Sequence, residues 1–174
     1  MVGNTGAGKS TVGRALAAQL GLAYLELDAV FWGPGWQMVS DDEGRRAIDR
    51  VLAAPRAQAG WVVDGNWNSR IGDTLGALDT VVWLDYSRWV VMTRVVRRTV
   101  LRLVCRRPLW NGNRERWANL VSRRPDDNII LWAWTQHSPS RAQHEQRMGT
   151  GDIRWVRLRS PRSTRQWLAT MGER

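Results

Sequence analysis

The sequence predicts an α/β fold in which a parallel sheet carries helices on both faces. Three observations support this. Short apolar runs alternate with amphipathic stretches along the whole chain. Three of those runs, 22–27, 61–63 and 80–84, lead into an aspartate: Asp28, Asp64 and Asp85. A glycine-rich segment, Gly3 to Thr11, separates the first apolar residues from the first amphipathic stretch. With 174 residues, 43 % of them hydrophobic, and no internal repeat, the chain suits a single domain over 1–174.

The elements follow in order. After the glycine-rich segment, Val12, Ala15, Leu16 and Leu20 fall on one helical face, and Gly21 is the expected stop. Residues 22–27 read as a short buried strand ending at Asp28. Phe31 to Trp36 is dense in turn residues and reads as a loop. Ser40 and Glu43 form a capping-box pattern, so a helix is expected from Asp41 to about Ala54, before Pro55. Trp61 to Val63 and Thr80 to Leu84 are strands. Arg88 to about Arg106 is helical and basic, stopped by Pro108. Residues 109–128 look irregular. A helix over 129–148 is expected to break or kink at Pro139. Ile153 to Leu158 is a last strand, and Ser160-Pro161 opens a last helix.

The segment Gly3-Asn4-Thr5-Gly6-Ala7-Gly8-Lys9-Ser10-Thr11 fits the P-loop pattern. Its glycines let successive N–H groups face the phosphates of ATP or GTP, and the following helix adds its positive end. Lys9 is expected at the β- and γ-phosphates and the Ser10 hydroxyl on Mg²⁺. Lys9 is also the single lysine among 26 basic residues; the rest are arginine. A compact ammonium serves there better than a forked guanidinium. A P-loop joins a strand to a helix, and only Met1 and Val2 precede this one, so the first strand reads as truncated.

Composition narrows the class. No apolar run is long enough to span a membrane, no secretory leader is visible, and Cys105 is alone. These features point to a soluble cytoplasmic protein with no membrane partner. The net charge of +10 suits acidic partners, either nucleic acid or phosphorylated small molecules. The twelve tryptophans are read mainly as core or pocket walls. His137 and His144 have no metal-ligand company and read as ordinary surface or helix residues.

Two segments resemble adenylate kinases: Trp61-Val62-Val63-Asp64-Gly65-Asn66, and Trp83-Leu84-Asp85-Tyr86-Ser87 followed by Arg94 and Arg98. The resemblance implies that Asp64 faces the magnesium site, that Arg94 packs on the nucleotide base and that Arg98 contacts phosphate. The i,i+4 spacing puts both arginines on one helix face. Leu27-Asp28, Trp32-Gly33-Pro34-Gly35-Trp36, Asp64-Gly65-Asn66-Trp67 and Trp83-Leu84-Asp85 also resemble a branch of small adenylate-kinase-like proteins related to a DNA topology modulation protein. The Pro-Arg that follows Asp-Gly-Phe in adenylate kinases is replaced here by Asn66-Trp67-Asn68-Ser69-Arg70, which weakens AMP as the acceptor. In the related shikimate and gluconate kinases an aspartate at the end of the second strand touches the acceptor hydroxyl, and Asp28 occupies a similar place. Trp32, Trp36 and Trp67 suit walls of an acceptor pocket, Arg70 a bridge to the transferring phosphoryl group, and 106–150 a helical lid.

The expected function is an ATP- and Mg²⁺-dependent kinase acting on a small acceptor, with Lys9, Asp28, Arg70 and Arg98 catalytic and Ser10 and Asp64 at the metal. The alternative is a nucleotide-switched, nucleic-acid-associated protein affecting DNA topology. Scattered basic residues and aspartate-tipped strands favour the first. The truncated-strand expectation is checked by the mass of the native protein: a chain beginning at Met1 contradicts it.

Overall fold

The computed structural model describes residues 1–71, 78–149 and 153–172. The strands are β1 (Val2–Gly3), β2 (Ala23–Glu26), β3 (Trp61–Asp64), β4 (Thr80–Leu84) and β5 (Arg154–Leu158). The helices are α1 (Lys9–Leu20), α2 (Leu27–Phe31), α3 (Asp41–Leu52), α4 (Asn68–Ile71), α5 (Arg88–Val104), α6 (Trp117–Val121), α7 (Ile129–Met148) and α8 (Pro161–Met171). Every strand pairing is parallel. β1, β4 and β5 form one ladder, and β2 pairs with β3. Two backbone contacts join the halves: the Met1 ammonium to the Val63 carbonyl, 2.6 Å, and Gly65 N–H to the Met1 carbonyl, 3.2 Å. The spatial order is therefore β2-β3-β1-β4-β5, with the short β1 in the middle.

Alternation along β3 shows how helices cover both faces. Val62 packs with Leu16 and Ala17 of α1, beside Trp167 and Leu168 of α8. Val63 points the other way, into a cluster with Phe31 of α2 and Ile48 of α3. A third cluster joins Val82 and Leu84 of β4 to Val91 and Val95 of α5 and Ala133 of α7.

Local signals set most boundaries. Gly21 closes α1 in the left-handed conformation, φ 66°, with its N–H on the Ala17 carbonyl. The Ser40 side chain caps α3 through Glu43 N–H, and Ser160 caps α8 with Pro161 as its first residue. Three expectations change and one is narrowed. The second strand stops at Glu26, and Leu27–Phe31 continues as a helix rather than a strand end and loop. Phe31 is fully buried there, in a notch at Gly44 where a Cβ would lie 2.2 Å from its ring. Residues 117–121 form a short helix in a stretch expected to be irregular. α7 runs through Pro139. The carbonyl left without a helical donor belongs to Thr135, and both residues are exposed, so water can satisfy it. Finally, of the two settings expected for His137 and His144, surface or helix, the second holds: both lie in α7, and both are buried. They fall with Ala133 on the inward face of α7.

His144 lies 5.4 Å from the Trp83 ring and 6.4 Å from Trp155, and neither ring nitrogen has a hydrogen-bond partner. Burial, with Arg147 adding to it, pushes its pKa from the ordinary 6.5 down to about 4. Between those values the unfolded chain binds a proton that the folded chain does not. This residue therefore removes stability as pH falls from 7 to 4 and has no such effect above 7. We expect His144→Leu to gain about 2–3 kcal/mol on the wild type between pH 7 and pH 4 in urea denaturation. Parallel pH profiles for the two proteins would contradict this.

Candidate functional site

The loop between β1 and α1 lies at the carboxyl edge of the sheet, against α5. Gly6 has φ 82°, and a Cβ on it would stand 2.3 Å from Val95 Cγ2, so only glycine lets the loop approach this helix. α1 begins at Lys9, which places its unpaired N–H groups beside the loop. The half-buried Lys9 ammonium donates to the carbonyls of Gly3, 2.9 Å, and Asn4, 3.4 Å. Burial lowers its pKa, against the pull of Asp28 and Asp64. Two carbonyls compensate this cation poorly, and an anion entering the loop would compensate it better.

Ser10 lies between two carboxylates. Its hydroxyl donates to Glu26 Oε1 at 2.9 Å, and Arg14 pairs with the other oxygen of Glu26. Asp64 is 2 % exposed with Oδ2 unpartnered, and burial raises its pKa despite the nearby Ser10 hydroxyl. Ser10 and Asp64 were expected from the sequence; Glu26 was not. The signal was present as Glu26-Leu27-Asp28, two carboxylates one residue apart where the strand ends. The donor set is all hard oxygen, which fits Mg²⁺. Among the described residues no three His, Cys, Asp or Glu side chains cluster to hold a metal by themselves. Ser10, Glu26 and Asp64 would hold Mg²⁺ directly or through water, together with phosphate oxygens. Asp85, the third aspartate of this edge, is taken up by Arg157 at 2.7 Å and Arg141 at 3.4 Å.

Asp28 sits in the first turn of α2, and its Oδ1 accepts from Trp67 Nε1 at 2.7 Å. Trp67 stacks on Phe31 at 4.8 Å and meets Trp32 edge-on at 5.7 Å; Trp32 meets Trp36, and Trp36 meets Trp110. The three expected tryptophans thus form one aromatic group, and Trp110 extends it. Residues 109–114 are fastened to the loop at 29–36. Asn111 donates to the carbonyls of Ala29 and Trp32, and Asn113 donates to Gly33 and accepts from Trp36 N–H. Trp36 Nε1 donates to the Arg114 carbonyl. Trp36 itself has φ 62°, costly for a bulky residue and held by these contacts. Residue 150, the far end of the expected lid, lies outside the described residues.

Arg94, Arg98 and Arg102 share the site-facing side of α5. Arg94 donates to the Ala7 carbonyl at 2.8 Å and lies over the Tyr86 ring, so it braces the loop. Arg98 has a buried Nε without a partner. Burial, with Arg102 beside it, brings its pKa down to about 10, while Glu115 and Asp28 pull it up. Arg102 pairs with Glu115 at 3.0 Å. Arg70 is engaged by Asp41 at 2.7 Å and lies over Phe31 and Trp67. The pair uses Nε, and Nη1 is buried without a hydrogen-bond partner.

This is a P-loop kinase fold: a parallel sheet flanked by helices, with the phosphate-binding loop and three strand-end carboxylates at one edge. The comparisons with known proteins agree at that level. A family model for shikimate kinase matches residues 5–33, the loop through Trp32-Gly33. A shikimate kinase of Paramagnetospirillum magneticum is 35 % identical over 113 residues, covering 56 % of each chain. A shikimate kinase of Thermobifida fusca is 42 % identical over 60 residues, 31 % of this chain and 35 % of the relative. The chain thus spans about half the length of the first relative and about a third of the second. The expected likeness to small P-loop kinases is borne out. The DNA-topology branch finds no support in these matches.

Gly65 turns the chain from Asp64 toward Trp67 and Asp28. Its φ is 135°, and a Cβ there would lie 2.9 Å from Leu27 Cβ. Gly65→Ala is expected to cost about 2–4 kcal/mol in urea denaturation. A loss below about 0.5 kcal/mol would contradict so close an approach of the two backbones.

Proposed function

We propose that this chain is an ATP-dependent phosphotransferase that moves the γ-phosphoryl group to the hydroxyl of a small molecule. The observation that carries the reading is the convergence of a phosphate-binding lysine, a Ser10–Glu26–Asp64 oxygen set and an anchored carboxylate, Asp28, at one sheet edge. The names of the relatives make shikimate the first acceptor to test.

In this reading the loop N–H groups and Lys9 hold the β- and γ-phosphates, and Lys9 leaves the Gly3 and Asn4 carbonyls to do so. Asp28, fixed by Trp67 on one oxygen, uses the other to orient the acceptor hydroxyl and receive its proton. The acceptor oxygen forms a bond to the γ-phosphorus as the bond to the β-phosphate oxygen breaks. Arg98 offers its unpartnered guanidinium edge to the charge on the transferring group. Mg²⁺, when bound, supplies further charge neutralisation at the phosphates. Arg94 keeps the loop against α5. Of the expected lid 106–150, residues 106–128 between α5 and α7 serve to exclude water, while α7 stays in the core through Ala133. The setting is the cytoplasm, where ATP is available.

The test is transfer of label from γ-labelled ATP, with Mg²⁺, to shikimate and to a panel of other hydroxy acids, sugars and nucleosides. We expect one acceptor to take label, Lys9→Ala to abolish transfer, and Asp28→Asn to lower kcat by about a hundredfold or more. No label on any acceptor, or transfer unchanged in Lys9→Ala, would overturn the reading.

A further inference from the structure

β3 and β1 exchange backbone hydrogen bonds only as far as Gly65 N–H on the Met1 carbonyl. At Gly65 the chain turns away and carries residues 66–71 towards the acceptor side. The next backbone rung, at Gly3, is therefore missing, and the Asn66 side chain replaces it. Asn66 Oδ1 accepts from Gly3 N–H at 3.3 Å, and Nδ2 donates to the Gly3 carbonyl at 2.8 Å. A carboxamide carries the same donor and acceptor as a peptide group, so it can complete a ladder in place of one. The adjacent residue, Trp67, grips Asp28 through its indole N–H at 2.7 Å. Its ring is set by Phe31, Trp32 and the Arg70 guanidinium.

We propose that Asn66 and Trp67 are a positioning pair that registers the phosphate-binding loop against the acceptor carboxylate. Asn66 holds the first residue of the loop, and Trp67 holds Asp28. The proposal rests on the kinase reading in one respect: it takes Asp28 as the acceptor's partner. The Gly3 carbonyl gives Asn66 a second task. That oxygen also accepts from Lys9 Nζ at 2.9 Å. When Lys9 turns to a phosphate, Asn66 Nδ2 stays and keeps the carbonyl paired, which lowers the cost of releasing the lysine.

Three measurements on the full chain test the pair. The first is Mg-ATP binding by calorimetry for wild type, Asn66→Ala, Asn66→Asp and Trp67→Phe. Asn66→Asp keeps the acceptor for Gly3 N–H but loses the donor to its carbonyl. We expect both Asn66 variants to bind about five- to tenfold more weakly and Trp67→Phe to stay within twofold of wild type. The second is hydrogen exchange in peptides covering residues 1–8 without nucleotide, expected to be faster in Asn66→Ala and unchanged in Trp67→Phe. The third is solvent exchange of the Trp67 indole proton by NMR, expected to be slow in wild type and in Asn66→Ala and fast in Asp28→Ala. Urea midpoints separate positioning from stability, because a general loss of stability would speed exchange throughout the chain.

Wild-type affinity in Asn66→Ala, or loop exchange unchanged by that substitution, would overturn the role of Asn66. An indole proton indifferent to Asp28→Ala would overturn that of Trp67. Failure of the wild type to bind Mg-ATP would instead overturn the kinase reading, and the two exchange measurements would still decide the positioning pair.

Discussion

Val2 and Gly3 lie between β3 and β4, and Gly3 is held so tightly that a Cβ would come within 2.7 Å of the Leu84 carbonyl. The phosphate-binding loop leaves the sheet from this point and is pressed onto α5 at Gly6, three residues on. A side chain at either position would lift the loop off the sheet or off the helix. Lys9, Ser10 and the start of α1 would then lose their place relative to Glu26, Asp64 and Arg94. The site is thus set by close approach of backbone to backbone, and its side chains inherit that geometry.

The features legible in the sequence were those decided by local chemistry. The loop pattern, the Gly21 stop, the Ser40 and Ser160 caps and the strand ends at Asp64 and Asp85 all depend on residues a few positions apart. What could not be read depends on distant partners. Leu27–Phe31 became a helix because Phe31 fits a notch made by Gly44, on another element. The burial of His144 follows from Trp83 and Trp155, although its spacing with Ala133 and His137 already marked the inner face of α7. The lack of metal-ligand company left surface and helix both open there, and the helical period was the better guide. Glu26 was read inside the strand 22–27, so the pattern of strand-end aspartates left it out, whereas β2 in fact ends on it. Its role is visible only with Ser10 and Arg14 beside it.

Arg157 and Arg141 neutralise Asp85, Arg102 pairs with Glu115, Arg70 with Asp41 and Arg14 with Glu26. These five arginines act as structural cations that fix carboxylates. Arg98 Nε and Arg70 Nη1 remain buried donors without a partner. These pairs leave the net charge of +10 unchanged, because that excess is what remains after every carboxylate is counted.

The contacts of Asn111 and Asn113 with the loop at 29–36 join residues about 80 positions apart in the chain. Closing so long a span costs chain entropy, and nothing is returned until both halves have nearly their final shape. The phosphate-binding loop is under the same constraint, since Gly3 meets Leu84 and Gly6 meets Val95, more than 80 positions on. Both halves of the site therefore wait on contacts across the same span of chain, and a chain released too soon would carry neither.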